Sequence, residues 1–345
     1  MTAVGTPADF DRAGVPEIPT TPVPRCPLCG AGESERFAEG FDYELTTCRN
    51  RWRFVQCRGC EHVWLDPRPA LSALPVIYPK HYYAYNFATR VHPIAVKGKA
   101  WLDRRRMAAI VRRCRGPITT YLDVGCGDGR FLRAMEAAGV PRAGLLGLEL
   151  DAEVARGLRE AGYRVDCARI EEATIAAPGS VDLVTMFHVI EHVDQPAEAV
   201  AKVVEWLAPG GVFALETPNR DSLDARWFRR TFWGGYHIPR HWNLFSTDGV
   251  VRLFEQAGLE VDLVSHQPGH SFWLYSLHHW LKFGSPSLPR LARWFDPIGA
   301  LFPLIVATGF DKLRALMGFR TSAVLVVGRK PGGGAARELP ARSDS

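Results

Sequence analysis

Three groups of residues in this chain have the types and spacing to do chemistry. Four cysteines stand in two C-x-x-C pairs, Cys26 and Cys29 in "CPLCG" and Cys57 and Cys60 in "CRGC", each beside a glycine. Two such knuckles can set four thiolates tetrahedrally around a zinc ion, and small folding units gain stability from the metal. A redox motif would not need two copies, so structural zinc is expected; Cys48 and His62 are possible substitute ligands but complete no second knuckle. The stretch "YLDVGCGDGR", 121–130, sets Gly125, Gly127 and Gly129 between Asp123 and Arg130. Glycines there permit tight turns and close approach of a ligand to the backbone, the makings of a phosphate or nucleotide cradle. The third group is titratable: His188, Glu191 and His192 in "FHVIEH", with Arg240 and His241 in "PRHW". A histidine near its ordinary pKa can take a proton from an acceptor hydroxyl or acidic carbon at neutral pH, and His192 and His241 are the candidates for that base. The plain alternative for His192 is a helix-start residue bonded to backbone.

The flanking elements say what the glycine stretch serves. Tyr121 to Val124 reads as a short buried strand, and Phe131, Leu132, Met135 and Ala138 recur at helical spacing until Gly139. The apolar "GLLGLELD", 144–151, reads as a second strand carrying Glu149 near its end. An acid about twenty positions beyond the glycines, at a second strand's tip, suits a ribose diol. Dinucleotide and S-adenosylmethionine sites share that feature. A dinucleotide fingerprint G-x-G-x-x-G would need glycine where Arg130 stands; here the spacing is G-x-G-x-G, with an acid two residues before the first glycine. In this pattern the chain resembles class I S-adenosylmethionine-dependent methyltransferases. "SVDLVTMFHVIEHVDQP" (180–196), "WLAPGGVFALETPN" (206–219), "STDGVVRLFEQAGLEVDLV" (246–264) and "TSAVLVVGRK" (321–330) resemble that family's later segments, in order. The resemblance implies an α/β, Rossmann-like, seven-stranded sheet. It also implies S-adenosylmethionine as cofactor, held by Asp123, Gly125, Gly127, Gly129 and Glu149, with His188 facing its methionine end and Glu191 and His192 beginning the next helix.

The remaining segments bear on the acceptor. The cysteine-rich leader, "VWLDPRP" (63–69), the tyrosine-rich "YPKHYYAY" (78–85) and "PRHW" resemble methyltransferases of glycan, deoxysugar and natural-product pathways. The loop after the fifth strand, 220–246, interleaves arginines with aromatics. Loops at the carboxyl ends of parallel strands line the ligand crevice, so Arg229, Arg230, Tyr236 and Arg240 are expected to meet a phosphorylated, sugar-like or aromatic acceptor. No Asn/Asp-Pro-Pro-Tyr and no Pro-Cys stands after the fourth strand, which argues against amine or cysteine-dependent base methylation of nucleic acid. An apolar stretch, 272–320, reads as helices that pack into the core, lid the pocket or touch a membrane bearing a lipid-linked substrate.

Composition sets outer bounds. The chain has 345 residues, 47% hydrophobic and 23% charged, with a net charge of +5 and eight cysteines. This is ordinary for globular proteins and long enough for more than one folding unit. No stretch reaches the roughly 18 apolar residues of a membrane span, and "IGALFPLIVATGF" is broken by Pro303. With no signal-peptide pattern at the start, a cytoplasmic, reducing setting is expected, and a disulfide framework is not. The expected organisation is a disordered 1–24, a zinc ribbon at 25–70, a linker and basic helical leader at 71–116, and a methyltransferase core at 117–271. A helical insertion at 272–320, a last core strand at 321–330 and a disordered tail at 331–345 complete it. The expected activity is methyl transfer to oxygen or carbon of a small metabolite such as a sugar nucleotide or glycan precursor. The rivals are an RNA methyltransferase that grips nucleic acid with its ribbon and a non-catalytic binding protein. Nothing in the sequence fixes the oligomeric state.

Overall fold

Short apolar strands with glycine- or serine-capped helices between them build one mixed sheet, to which a small antiparallel sheet is attached. The computed structural model describes residues 14–79, 93–285, 288–297 and 299–332. The expected disorder at both ends falls largely outside these residues, as does most of the tyrosine-rich segment. The leader contributes three antiparallel strands to its main sheet, β1 (Ser34–Gly40), β2 (Trp52–Cys57) and β3 (Val63–Leu65), beside a two-residue pairing of Thr20–Thr21 with Arg68–Pro69. The rest of the chain contributes β4 (Tyr121–Val124), β5 (Leu145–Leu148), β6 (Arg164–Asp166), β7 (Val181–Phe187), β8 (Leu207–Pro218), β9 (Asn243–Leu244), β10 (Glu260–Gln267) and β11 (Ala323–Arg329). Its helices are α1 (Pro93–Val111), α2 (Arg130–Ala137), α3 (Ala152–Glu160), α4 (Pro196–Trp206), α5 (Leu223–Phe228), α6 (Thr247–Gln256), α7 (His270–His279) and α8 (Leu301–Leu316).

The large sheet has seven strands in the order β10-β11-β8-β7-β4-β5-β6, with only β11 antiparallel to its neighbours. Every residue of β4, β5 and β11 is buried, as strands covered on both faces must be. One face packs Val200, Val203, Trp206 and Phe254 against the sheet; the other packs Met107, Phe131 and Leu158. Helix starts follow local chemistry. Asp151 accepts from the N–H groups of Glu153 and Val154 at the start of α3, Ser246 caps α6 through Gly249, and Pro196 opens α4. Because β4 pairs with β5 on one side and β7 on the other, the chain departs from their carboxyl ends in opposite directions. That divergence opens a crevice.

Two expectations about boundaries change. Glu191 and His192 do not begin a helix: Ile190–His192 is a single 3₁₀ turn, Val193 is extended, and α4 starts only at Pro196. The leader is also not closed on itself. Its sheet has the order β9-β3-β2-β1, and β9, some 180 residues downstream, pairs Asn243 with Trp64 and Leu244 with Val63. The loop that follows β8 is thereby stitched to the leader by backbone hydrogen bonds.

The apolar insertion divides in two. Helix α7 packs inward, with Ser276 Oγ accepting from Gly234 N at 2.8 Å and Trp273 donating to Asp311 of α8 at 3.0 Å. Buried Asp311 also accepts from Gly269 N and Ser322 Oγ, which fixes α8 against the end of the sheet. The outer side of α8 is bare. Among the described residues no helix is long and apolar enough to cross a membrane.

Candidate active site

The glycine loop leaves β4 with three left-handed residues: Gly125, Gly127 and Gly129 have φ of 73°, 51° and 77°. A Cβ at Gly125 would lie 2.3 Å from Val189 Cγ2, and one at Gly129 would lie 2.5 Å from Leu158 Cδ2. Gly127 faces open space, so its glycine answers to the turn and leaves its surroundings clear for a ligand. Its N–H donates to Glu149 Oε2 at 2.8 Å, while Leu150 N and Asp151 N donate to Oε1 at 2.7 and 3.0 Å. Glu149 is thus held by backbone at the rim of the loop. Beneath it, Asp123 Oδ1 accepts from Thr185 at 2.7 Å, while Oδ2 is buried without a hydrogen-bond partner. Burial raises the Asp123 pKa to about 7. An orphaned carboxylate oxygen, an open glycine and a backbone-oriented acid fit a cationic, hydroxylated ligand such as S-adenosylmethionine.

The titratable group gathers at the carboxyl ends of β7 and β8. His188, the residue after β7, has φ of 56°, a left-handed conformation that a histidine rarely adopts. Its Nε2 lies 3.1 Å from Glu216 Oε1 and its Nδ1 lies 3.4 Å from Glu191 Oε1. The ring keeps 44% of its surface exposed; partial desolvation disfavours its charged form, but the two carboxylates outweigh this and raise His188 to about 9. Glu216, at the end of β8, also meets Arg106 of α1 at 2.5 Å, and the Arg106 guanidinium stacks 4.1 Å over Phe187. Burial opposes ionisation of Glu216, yet Arg106 and His188 hold its carboxyl below the usual range.

His192 and His241 sit in the same cluster, with ring centroids 4.7 Å apart. His192 Nδ1 lies 2.9 Å from the Arg240 carbonyl, and His241 Nδ1 lies 2.8 Å from the Gly235 carbonyl. A carbonyl only accepts, so each Nδ1 carries the hydrogen and each Nε2 keeps its lone pair. Burial depresses both, His192 to about 4. Both rings are neutral at pH 7, in the form that accepts a proton. Tyr78 OH reaches His192 Nδ1 at 3.0 Å and brings the linker to the site. Glu191, His192 and His241 each offer one ligand-type atom within 4.8 Å of the others. By spacing alone they could hold a cation. With protonated His188 beside Glu191, and Thr217 donating to Glu191 Oε2, the trio is better suited to handling a proton.

Arg240 and Tyr236 correct the sequence reading. Arg240 is fully buried, its guanidinium meeting both oxygens of Asp42 at 3.0 Å, the Ile77 and Ile238 carbonyls, and Thr47 Oγ1. Those contacts use up its donors, so it anchors the leader and not an acceptor phosphate. Tyr236 is 2% exposed, stacks on Phe54 of β2 and donates to the Arg229 carbonyl; it is a packing residue. Arg229 stacks on Phe37 and lines an open basin, and its neighbour Arg230 accepts from Glu39 N through its backbone carbonyl. Sequence reading missed Asp42, Glu44, Arg106, Glu216 and His237. Glu44 pairs with His237 at closest range, yet 193 residues separate them in the chain. The acids of "FDYE" and "ETPN" were visible signals, but nothing local announced their partners.

In the leader, the Sγ atoms of Cys26, Cys29, Cys57 and Cys60 all lie within 4.8 Å of one another, with Cys26–Cys60 at 3.5 Å and Cys29–Cys57 at 3.6 Å. Thiolates about 2.3 Å from a tetrahedral zinc stand roughly 3.8 Å apart. The spacing fits a bound ion, and all eight cysteines are free of disulfides.

A family model described as a methyltransferase domain matches residues 88–264, just over half of the chain. The chain belongs to that family. It is a methyltransferase dependent on S-adenosylmethionine. It is 28% identical over 211 residues to a ubiquinone biosynthesis O-methyltransferase of Thiobacillus denitrificans, covering 58% of this chain and 79% of that one. It is 32% identical over 204 residues to a probable S-adenosylmethionine-dependent methyltransferase of Mycolicibacterium smegmatis, covering 57% and 70%. Among solved structures, a putative methyltransferase in complex with the Haloferax volcanii Trm112 activator is similar over 71% of this chain and 97% of its own, at 17% identity and a TM-score of 0.46.

The charge on His188 is directly measurable. Its folded pKa lies above the ordinary 6.5, so its contribution to stability is complete below pH 6.5 and is lost as pH rises through about 9. NMR of the imidazole should show it protonated at pH 7.5 with a midpoint near 9. Glu216→Gln should lower that midpoint, and a wild-type midpoint at or below 6.5 would contradict the geometry.

Proposed function

We propose that this enzyme methylates a hydroxyl oxygen or an acidic carbon of a small acceptor, such as a sugar nucleotide, glycan precursor or related metabolite. The observation that carries the reading is His192, neutral, tautomerically fixed and set at the tip of β7 beside Glu191. The names of the ubiquinone-pathway relatives favour a hydroxyl acceptor. S-adenosylmethionine, when bound, supplies an electrophilic methyl group on a sulfonium. Asp123, Gly125, Gly127, Gly129 and Glu149 would hold it, with His188 placed to meet its methionine end. As the acceptor oxygen gains the methyl group, His192 Nε2 accepts the hydroxyl proton, so the products are a methyl ether, a neutral thioether and an imidazolium. Glu191 stabilises that imidazolium, and His241, its Nε2 3.9 Å from Glu191, is the alternate base. Arg229 and Arg230 are the basic residues left to meet an anionic acceptor. The four leader cysteines hold one structural zinc, and the enzyme works in the cytoplasm, where a lipid-linked acceptor would bring it to a membrane surface.

Kinetics and metal analysis test this reading. His192→Ala should lower turnover by roughly 100- to 10,000-fold while leaving calorimetric affinity for S-adenosylmethionine unchanged. With S-adenosylmethionine saturating, so that titration of Asp123 near pH 7 does not enter, the wild-type kcat/KM for the acceptor should be flat across neutral pH, because the base is already deprotonated there. A change of only a few-fold would remove His192 as the base, and S-adenosylhomocysteine release across metabolites and RNA would still identify the acceptor. Elemental analysis should give about one zinc per chain, lost in Cys57→Ser. A metal-free wild type with intact fold would contradict the zinc assignment.

A further inference from the structure

Among the described residues, eighteen large apolar side chains are exposed, and twelve of them lie between Trp280 and Phe319. They are not scattered. On α8, Phe302, Ile305, Val306, Phe310, Leu313, Leu316 and Met317 recur at spacings of three and four, which places them along one side of the helix. The opposite side carries buried Asp311 and faces α7, so this apolar stripe points away from the protein. Phe302 is 77% exposed and Leu316 is 80% exposed. A run of this kind goes well beyond the isolated surface apolar residues of soluble proteins. Trp294 and Leu291, in the turn ahead of α8, are exposed as well.

The charge around the stripe is mostly basic, with Asp248 and Asp296 the exposed acids nearby. At the carboxyl end of α8, Arg220, Arg226, Arg229, Arg314 and Arg320 line a basin of about 520 Å³ that also includes Gly318 and Phe319, next to the stripe. Asp221 also lines it; Asp221 and Asp248 pair with Arg320, and Asp311 pairs with Arg314, which leaves Arg226 and Arg229 as the basin's exposed basic groups. Lys312 projects from α8 over Trp101, and Arg290 and Arg293 are exposed in the preceding turn. A two-fold dimer through the stripe would set this basic surface against its own copy, like charge facing like. An anionic surface relieves that repulsion. Sixteen residues of helix span about 24 Å, less than the roughly 30 Å hydrocarbon core, so α8 can lie in a bilayer interface but not cross it.

We propose that the α8 stripe, with Trp294 and the arginine basin, docks this enzyme on the surface of an anionic phospholipid bilayer. The apolar side chains enter the headgroup–acyl boundary, and the basin takes the lipid phosphates. This deepens the reading of a lipid-linked acceptor but does not need it, because membrane binding is read without turnover.

The test is flotation of the full chain with phosphatidylcholine vesicles containing about a third phosphatidylglycerol, against pure phosphatidylcholine vesicles. The chain should float with the anionic vesicles and bind the neutral ones at least about tenfold less, and high salt should release it. Phe302→Glu with Ile305→Glu should reduce binding by about tenfold or more, with the melting temperature unchanged since both side chains are exposed. Arg226→Glu should weaken binding to anionic vesicles selectively. No flotation with anionic vesicles would overturn the proposal. So would binding indifferent to the double variant, or a vesicle-free dimer that the double variant dissociates. Loss of turnover in His192→Ala with flotation intact would separate the two readings.

Discussion

The site depends on one buried ion pair. Asp42, from the leader, and Arg240, from the loop after β8, are both fully inaccessible and meet through two hydrogen bonds of 3.0 Å. Burying two charges is costly unless every remaining donor and acceptor is satisfied, and here they are. Asp42 also accepts from Leu45 N, Thr47 N and Thr47 Oγ1, while Arg240 reaches the Ile77 and Ile238 carbonyls. Arg240 thereby joins leader, linker and the loop after β8 at one point. Its own carbonyl then fixes the His192 tautomer, and its neighbour His241 completes the cluster. The leader is therefore a wall of the candidate site, joined to the loop a second time by β9 and a third time by Glu44 and His237.

The methyltransferase half of the molecule was legible because its signals are local. A strand of four buried residues, three glycines needing positive φ and an acid at the next strand's tip are adjacent in sequence and close in space. The cysteine pairs were legible for the same reason: each knuckle is four residues long and the two needed only one sheet to meet. The role of Arg240 was not legible, because its partner lies 198 residues away and an arginine in an aromatic loop looks the same whether it binds a phosphate or a buried aspartate. Tyr236 was misread on similar grounds, since aromatic residues serve stacking on a ligand and packing on β2 equally well.

Periodicity has a related limit. The apolar spacing of α8 is what a core helix would show, and only its placement reveals that the stripe faces outward. The histidines carry the converse lesson. His188, His192 and His241 have one side chain in common but different surroundings: two carboxylates charge the first, while burial keeps the others neutral against the opposing pull of a backbone carbonyl. One cluster thus offers a fixed cation and a free lone pair side by side, a division of labour set by environment alone.

Amide hydrogen exchange in wild type and Asp42→Ala tests the dependence on that pair most directly. Removing one partner of a buried pair costs about 3 to 5 kcal/mol, a factor of roughly 150 or more in local opening. Exchange should accelerate by that order across 234–244 and around Ile77, while the amides of β4, β7 and β8 keep their protection. Unchanged exchange at 234–244 would show that the loop and its histidines stand without the leader, and would contradict this account.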